Sequence, residues 1–113
     1  MEEVVLCAAS SYAQKFYLNP DFRSLPEQVR QELQIMCVLY TEDVGGILML
    51  VYDSMGNLKL VVDHEKDDLT FDEIGSALKI KQMQAEKKEL FESLELYYKT
   101  VYQINGDSGA HEQ

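Results

Sequence analysis

The chain has 113 residues, of which 46% are hydrophobic and 27% charged, and its formal net charge is −10 at pH 7. This length predicts one domain, residues 1–104, which can bury a core without disulfides or metals. The negative charge would repel nucleic-acid phosphates and an anionic membrane surface, so it argues against both as partners. No apolar run approaches the ~18 residues of a membrane helix, and the first residues lack the basic segment of a secretory signal. We therefore expect a cytoplasmic protein.

The first predicted elements are two strands, Val4–Ala8 and Ala13–Asn19, joined by a turn at Ser10–Ser11. Both segments are rich in the β-branched, aromatic and other apolar residues that suit a pleated, half-buried surface. Pro20 and its polar neighbours in "NPDFRS" end this hairpin.

A helix is predicted to begin at Ser24, because "SLPE" places a hydroxyl at the N-cap and Glu27 three residues later. The apolar residues that follow lie at helical spacing and form one face: Val29, Leu33, Met36, Cys37 and Tyr40. The segment Met36–Thr41 is also short and uniformly apolar, so a strand there is the alternative. Gly45–Gly46 favours the helix, since glycine supplies the left-handed residue that commonly ends one.

Two further strands are predicted in "GILMLVYD" and "NLKLVVD", on either side of "SMG". Gly56 and Asn57 suit the positive φ angles of a short hairpin loop. The first of these strands is apolar on both faces, which predicts a central place in the sheet.

The last predicted element is a long helix. Thr70 and Glu73 in "TFDE" form a second capping-box pattern, and good helix formers continue to about Gln103. A heptad seam of mostly apolar positions begins at Ile80 and includes Lys87. Residues 105–113 are predicted to be a disordered tail, because they carry no apolar anchor.

These elements predict an α+β fold in the order β-hairpin, helix, β-hairpin, long helix (ββαββα). The simplest arrangement is an antiparallel sheet of about four strands with the helices on one face.

The stretch with the densest chemistry is "DHEKDDLTFDE", which places six carboxylates and His64 between Asp63 and Glu73. A calcium-binding EF-hand loop starting at Asp63 needs glycine at its sixth position and glutamate at its twelfth. Asp68 and Ile74 stand there instead. A zinc site needs three or four convergent ligands, and no cysteine or second histidine lies nearby. We interpret the stretch as a solvated link that ends in acids at a helix N-terminus, and we predict no metal site and no cofactor.

The sequence also lacks the residue spacings that are typical of catalytic sites. Cys7 and Cys37 lie in apolar runs without a basic neighbour, which predicts buried, unreactive thiols. A Cys–His pair would need His64, because His111 falls in the tail, and no spacing supports that pairing. The glycine pair in "DVGGI" follows a helix and precedes a strand, the reverse of the order in phosphate-binding loops. We predict no catalytic residues and expect that the protein is not an enzyme.

A self-association surface is predicted on the C-terminal half of the last helix, whose apolar face is broader than one small sheet readily covers. The predicted interface residues are Leu90, Phe91, Leu94, Tyr97, Tyr98 and Val101. A two-fold homodimer is the expected assembly.

Three segments, "SYAQKFYLN", "LPEQVRQELQIMCVLYTEDVGGILMLVYD" and "FDEIGSALKIKQ", resemble a family of short uncharacterised bacterial proteins, a domain of unknown function. The resemblance covers residues 1 to about 102. It implies a bacterial, cytosolic, stand-alone domain and brings no activity, cofactor or catalytic residue.

The predicted function is therefore a non-enzymatic protein–protein interaction or regulatory module that is homodimeric and has a further protein partner of unknown identity. The alternative is a sensor domain that binds a small molecule or a cation in a pocket between sheet and helices. An enzyme is the third hypothesis.

Overall fold

The computed structural model describes the backbone of residues 3–104 and the side chains of residues 3–102. Its strands and helices are β1 (Val4–Ser10), β2 (Lys15–Leu18), α1 (Glu27–Val44), β3 (Ile47–Tyr52), β4 (Leu58–Asp63), α2 (Glu73–Glu86) and α3 (Lys88–Tyr98). A 3-10 turn at Pro20–Phe22 precedes α1, and a π-helical turn at Lys99–Ile104 follows α3. The predicted tail at 105–113 lies outside the described residues.

The four strands form one antiparallel sheet in the order β2-β1-β3-β4. The predicted α+β class and antiparallel four-stranded sheet are confirmed. β3 lies inside the sheet, between β1 and β4, as its apolar residues on both faces predict.

All three helices lie against the same face of this sheet, as predicted. The Sγ atoms of Cys7 on β1 and Cys37 on α1 are 4.0 Å apart. On the same side, the hydroxyl of Tyr52 on β3 donates to the backbone oxygen of Leu94 on α3, at 2.9 Å. α2 joins this layer through a hydrogen bond between the hydroxyls of its Ser76 and Tyr40 of α1. The hydrophobic core fills the space between the sheet and this layer.

Helix α1 includes Met36–Thr41, so the helical interpretation of that segment is confirmed. The helix ends at Val44, and its C-cap is Gly45, whose φ is 80° and whose N–H donates to the backbone oxygen of Thr41. The predicted start was wrong: the N-cap residue is Pro26, without a side-chain cap. Ser24 does not cap the helix because its hydroxyl bonds to that of Tyr97, at 3.1 Å.

Both hairpin turns differ in detail from the prediction. The first turn occupies residues 11–14 rather than Ser10–Ser11, because Gln14 takes the positive φ, 53°. In the second, Gly56 has a φ of 84° as predicted, but Asn57 has no positive φ. There the Asp53 carboxylate accepts the backbone N–H groups of Met55 and Asn57 and so fixes the loop.

The predicted long helix is broken at Lys87, whose φ and ψ are −108° and 23°. α2 and α3, of 14 and 11 residues, would form a straight helix of ~38 Å. The longest strand has seven residues, or about 23 Å, so a straight helix would run past the sheet. The predicted cap was also wrong, because Asp72 and not Thr70 accepts the N–H of Gly75 at the start of α2.

Candidate functional site

The acidic stretch forms an ordered loop between β4 and α2. Asp68 accepts a hydrogen bond from the Tyr12 hydroxyl at 2.6 Å and two more from Thr70, and so ties the loop to the first hairpin. The bonds from Thr70 and Tyr12 lower the pKa of the Asp68 carboxyl group from its ordinary value. Asp72 caps α2, and the Asp63 carboxylate accepts the backbone N–H of His64. The hydrogen bonds of these acidic side chains therefore hold the loop and the start of α2 in place.

This loop brings no metal-ligand set together. Within the residues that the structure describes, no three His, Cys, Asp or Glu side chains lie close enough to hold a metal ion. His64 stacks on Phe71 with ring centroids 4.5 Å apart, and its Nε2 lies 3.7 Å from the Glu73 carboxylate. The histidine therefore has a structural environment at the end of β4.

The two cysteines face each other in the core. Both are fully buried as free thiols, and the hydrogen bond with Cys37 together with burial raises the pKa of Cys7. A raised pKa keeps a thiol protonated and weakly nucleophilic at neutral pH. His64 lies on the separate loop before α2 and stacks there on Phe71. The arrangement offers no activated nucleophile among these residues.

The structure turns most of the predicted interface residues inward. Phe91 and Leu94 are buried members of the core, and Leu90, Tyr97 and Tyr98 pack against it. Val101 is 37% exposed. The apolar breadth of α3 that motivated this interface is therefore used largely within the chain.

An aromatic cluster accounts for the tyrosines of the C-terminal segment. Tyr98 stacks on Tyr52 with ring centroids 4.1 Å apart and on Tyr102 at 5.2 Å. Phe22 closes the cluster, at 5.7 Å from Tyr52 and 5.3 Å from Tyr102. The Tyr102 hydroxyl donates to the backbone oxygen of Asp21. The sequence showed the tyrosines but gave no signal that Phe22, far away in the chain, would complete their packing.

The surface that sequence reasoning missed is the face of the sheet opposite the helices, which we call the open face. Residues directly opposite each other on antiparallel strands point to the same side, so the pairing register defines its rows. The first row contains Lys15, Ser10, Ile47 and Asp63, in strand order. The central row contains Tyr17, Ala8, Met49 and Val61, and the third row contains Val5, Val51 and Lys59.

The central row of the open face is apolar from edge to edge. Ala8, Met49 and Val61 are half-buried by their neighbours in the sheet, and Tyr17 is 50% exposed. Among the described residues, none of the valine, isoleucine or methionine side chains of the open face belongs to the core cluster between sheet and helices or packs against that cluster. The sequence feature that could have indicated this surface was the apolar character of β3 on both faces.

Val51 in the third row is only 4% exposed, although it is not part of the core cluster. Lys59 stands directly opposite it on β4, and the Lys59 Nζ lies 2.9 Å from the Glu3 carboxylate. Because Glu3 precedes β1, this ion pair passes over β3. The pair shields one end of the open face and leaves the central row uncovered.

A groove of about 520 Å³ lies between β4 and α2. Its apolar walls come from both elements, and polar groups of His64, Glu73 and Ser76 line it as well. A larger cavity of about 750 Å³, between the first hairpin and α1, has a lining that is about equally polar and apolar. Small-molecule sites are usually apolar with a few placed polar groups, so the groove beside α2 fits that description better.

The family model described as "Family of unknown function (DUF6145)" matches residues 3–106, so the chain belongs to this family. This confirms the resemblance to a domain of unknown function. No curated protein and no solved structure matches the chain. Among the described residues, no helix combines the length and apolar character needed to cross a membrane.

Proposed function

We propose that the protein is a non-enzymatic, cytoplasmic interaction module that pairs with a second copy of itself through the open face. The observation that carries the proposal is the central row, Tyr17, Ala8, Met49 and Val61, which no described helix packs against. An apolar patch left on a monomer surface commonly marks an interaction site.

A second copy is the simplest occupant, because a two-fold contact lets each apolar face cover the other. Four strands ~4.8 Å apart and three rows ~6.8 Å apart give the open face an area of about 400 Å². Two such faces would bury about 800 Å² in total, below the 1,200–2,000 Å² typical of stable complexes. We therefore expect a reversible dimer, with a dissociation constant in the micromolar range or weaker.

The test is sedimentation equilibrium on the full chain from about 10 to about 500 μM, a range that brackets this affinity. The wild type should shift from monomer to dimer across the range. Val61→Glu places a carboxylate in the central row and should keep the protein monomeric, with an unchanged circular dichroism spectrum. Tyr17→Glu, at an exposed edge position, gives the same test with less risk to the fold.

Leu78→Glu is the matched control, because Leu78 is exposed on α2, which packs on the other side of the sheet, and the charge change is identical. It should dimerise like the wild type. If the wild type stays monomeric at the highest concentration, the proposed self-association is refuted. If Leu78→Glu dissociates the dimer and Val61→Glu does not, the interface lies on the helices instead.

A small-molecule sensor is the second candidate, favoured by the groove between β4 and α2. Ala77 and Ile80 line it from α2, opposite Leu60 and Val62 of β4. A fragment library followed by amide NMR shifts would test this function. Ligands of the groove should shift amides of β4 and α2, and Ala77→Trp should abolish those shifts by filling the space. Fragments that shift no amides of these two elements would count against a sensor.

A further inference from the structure

Two opposite charges occupy the outer corners of the first row of the open face. Lys15 on β2 and Asp63 on β4 are exposed, on the two edge strands of the sheet. Neither takes part in a salt bridge within the residues that the structure describes. From the part of the chain that the structure describes, the Asp63 carboxylate accepts one hydrogen bond, from the backbone N–H of the residue that follows it. Both charges are therefore available to a partner.

We infer that the two copies stack sheet on sheet about a two-fold axis parallel to the strands, so that Lys15 of each copy pairs with Asp63 of the other. This inference rests on the proposed self-association through the open face. An axis parallel to the strands keeps each row opposite the same row of the partner and reverses the order of the strands. β2 of one copy then lies over β4 of the other, which brings the two corners together.

The size of the side chains in the central row supports this axis. With the strand order reversed, the large Tyr17 faces the smaller Val61 of the partner copy, and Met49 faces Ala8. Facing layers pack well when large side chains meet small ones. An in-plane axis perpendicular to the strands would instead set each residue of the central row against its own copy. Met49 would then collide with Met49, while the two Ala8 residues would leave a void.

The charges support the same choice. The perpendicular axis would reverse the rows and set Asp63 over Lys59 of the partner copy, but Lys59 already pairs with Glu3 of its own chain. It would leave Lys15 without a carboxylate. The parallel axis uses the two unpaired corners and keeps the ion pair that covers Val51 in place. Sheets in such sandwiches pack ~10 Å apart, a gap that an extended lysine side chain can bridge at the rim.

Charge exchange tests the arrangement, again by sedimentation equilibrium on the full chain. Lys15→Glu and Asp63→Lys each place like charges together at two symmetric sites, and each should weaken the dimer about tenfold, since rim ion pairs contribute modestly. The double variant Lys15→Glu/Asp63→Lys restores opposite charges and should return the dissociation constant to that of the wild type. Lys88→Glu, an exposed substitution on α3 with the same charge change as Lys15→Glu, is the control for general repulsion in that variant.

Each outcome separates the inferred geometry from the proposed function. If Val61→Glu dissociates the dimer while both single corner variants behave like Lys88→Glu, the open face is the interface and the parallel axis is wrong. If Asp63→Lys weakens the dimer but Lys15→Glu matches the control and the double variant gives no rescue, the perpendicular axis is correct. A wild type that is monomeric throughout refutes the self-association and, with it, this arrangement.

Discussion

Replacing Leu94 by alanine tests whether α3 packs into the core through this side chain or uses it to contact a partner protein. Leu94 is 2% exposed and belongs to the core cluster. The change removes three buried carbon atoms at about 0.8 kcal/mol each, and the cavity left behind adds to this loss. We expect the free energy of unfolding to fall by about 3 kcal/mol, a large part of the 5–15 kcal/mol typical of a domain.

Leu96→Ala is the matched control, since it is the same change on the same helix at a side chain that is 67% exposed. It should cost less than about 0.5 kcal/mol. Urea unfolding followed by circular dichroism measures both, and with a slope near 1.5 kcal/mol per molar the Leu94 midpoint should drop by about 2 M. The loss should be the same at two protein concentrations, because an interface residue would instead make it concentration-dependent.

If Leu94→Ala and Leu96→Ala lowered the free energy of unfolding equally, the packing of α3 against the core through Leu94 would be refuted. A Leu94→Ala protein that kept its stability as a monomer but lost its dimer would restore the interface that the sequence predicted on this helix.

Two other predictions concern the ends of the sheet. Gly46 has a φ of 77°, and a Cβ atom there would lie 2.7 Å from a backbone oxygen at the end of β4. Gly46→Ala should therefore lower the free energy of unfolding in urea by about 3 kcal/mol or more, from backbone strain and the steric clash together. Gly45→Ala, at a φ of 80° with nothing within 4 Å, should cost only the strain of that conformation, about 1 kcal/mol. Hydrogen bonds from Thr70 and Tyr12 lower the pKa of Asp68, so its carboxylate stabilises the fold at neutral pH and this contribution is lost as the pH falls through the lowered pKa. Asp68→Asn should therefore reduce the acid-induced loss of stability between neutral pH and about pH 2, and an unchanged acid profile would contradict the role given to this carboxylate.

Local periodicity was sufficient to predict the sheet and the first helix. Leu58, Leu60 and Val62 alternate with Lys59, Val61 and Asp63 along β4, and the first three pack toward the core. The helical spacing from Leu33 to Tyr40 outweighed the strand-like composition of the same segment, and both residues are buried in α1. Such patterns depend on neighbours a few positions away, which the sequence displays directly.

The helix caps could not be predicted in this way. Ser24 and Thr70 both satisfy the sequence pattern of a capping box, yet both hydroxyls bond elsewhere. The partner of Ser24 is Tyr97, 73 positions away. A hydroxyl has few bonds to make, and a tertiary partner can compete with the helix end for them.

The break in the last helix and its packing are also tertiary effects. Lys87 occupies a position of the predicted heptad seam. In the structure it is the C-cap of α2 and the N-cap of α3, and its Nζ lies 2.9 Å from the carboxylate of Glu32 on α1. Tyr98 and Tyr102, after the break, pack against Phe22, which stands in the short 3-10 turn before α1. Neither contact leaves a local pattern.

The apolar character of β3 carries more information than its central position alone. Being central explains why a strand has neighbours on both edges, but it does not explain apolar residues on both faces, because each face needs a covering layer. Helices cover the face that holds Leu48, Leu50 and Tyr52, and the described chain supplies no comparable layer over Met49 and Val51. In sheets with helices on both sides, the second face is covered within the chain. Here the described helices form one layer. The apolar residues Met49 and Val51 of β3 are therefore the feature of the sequence that indicates a second sheet or a partner on the other face.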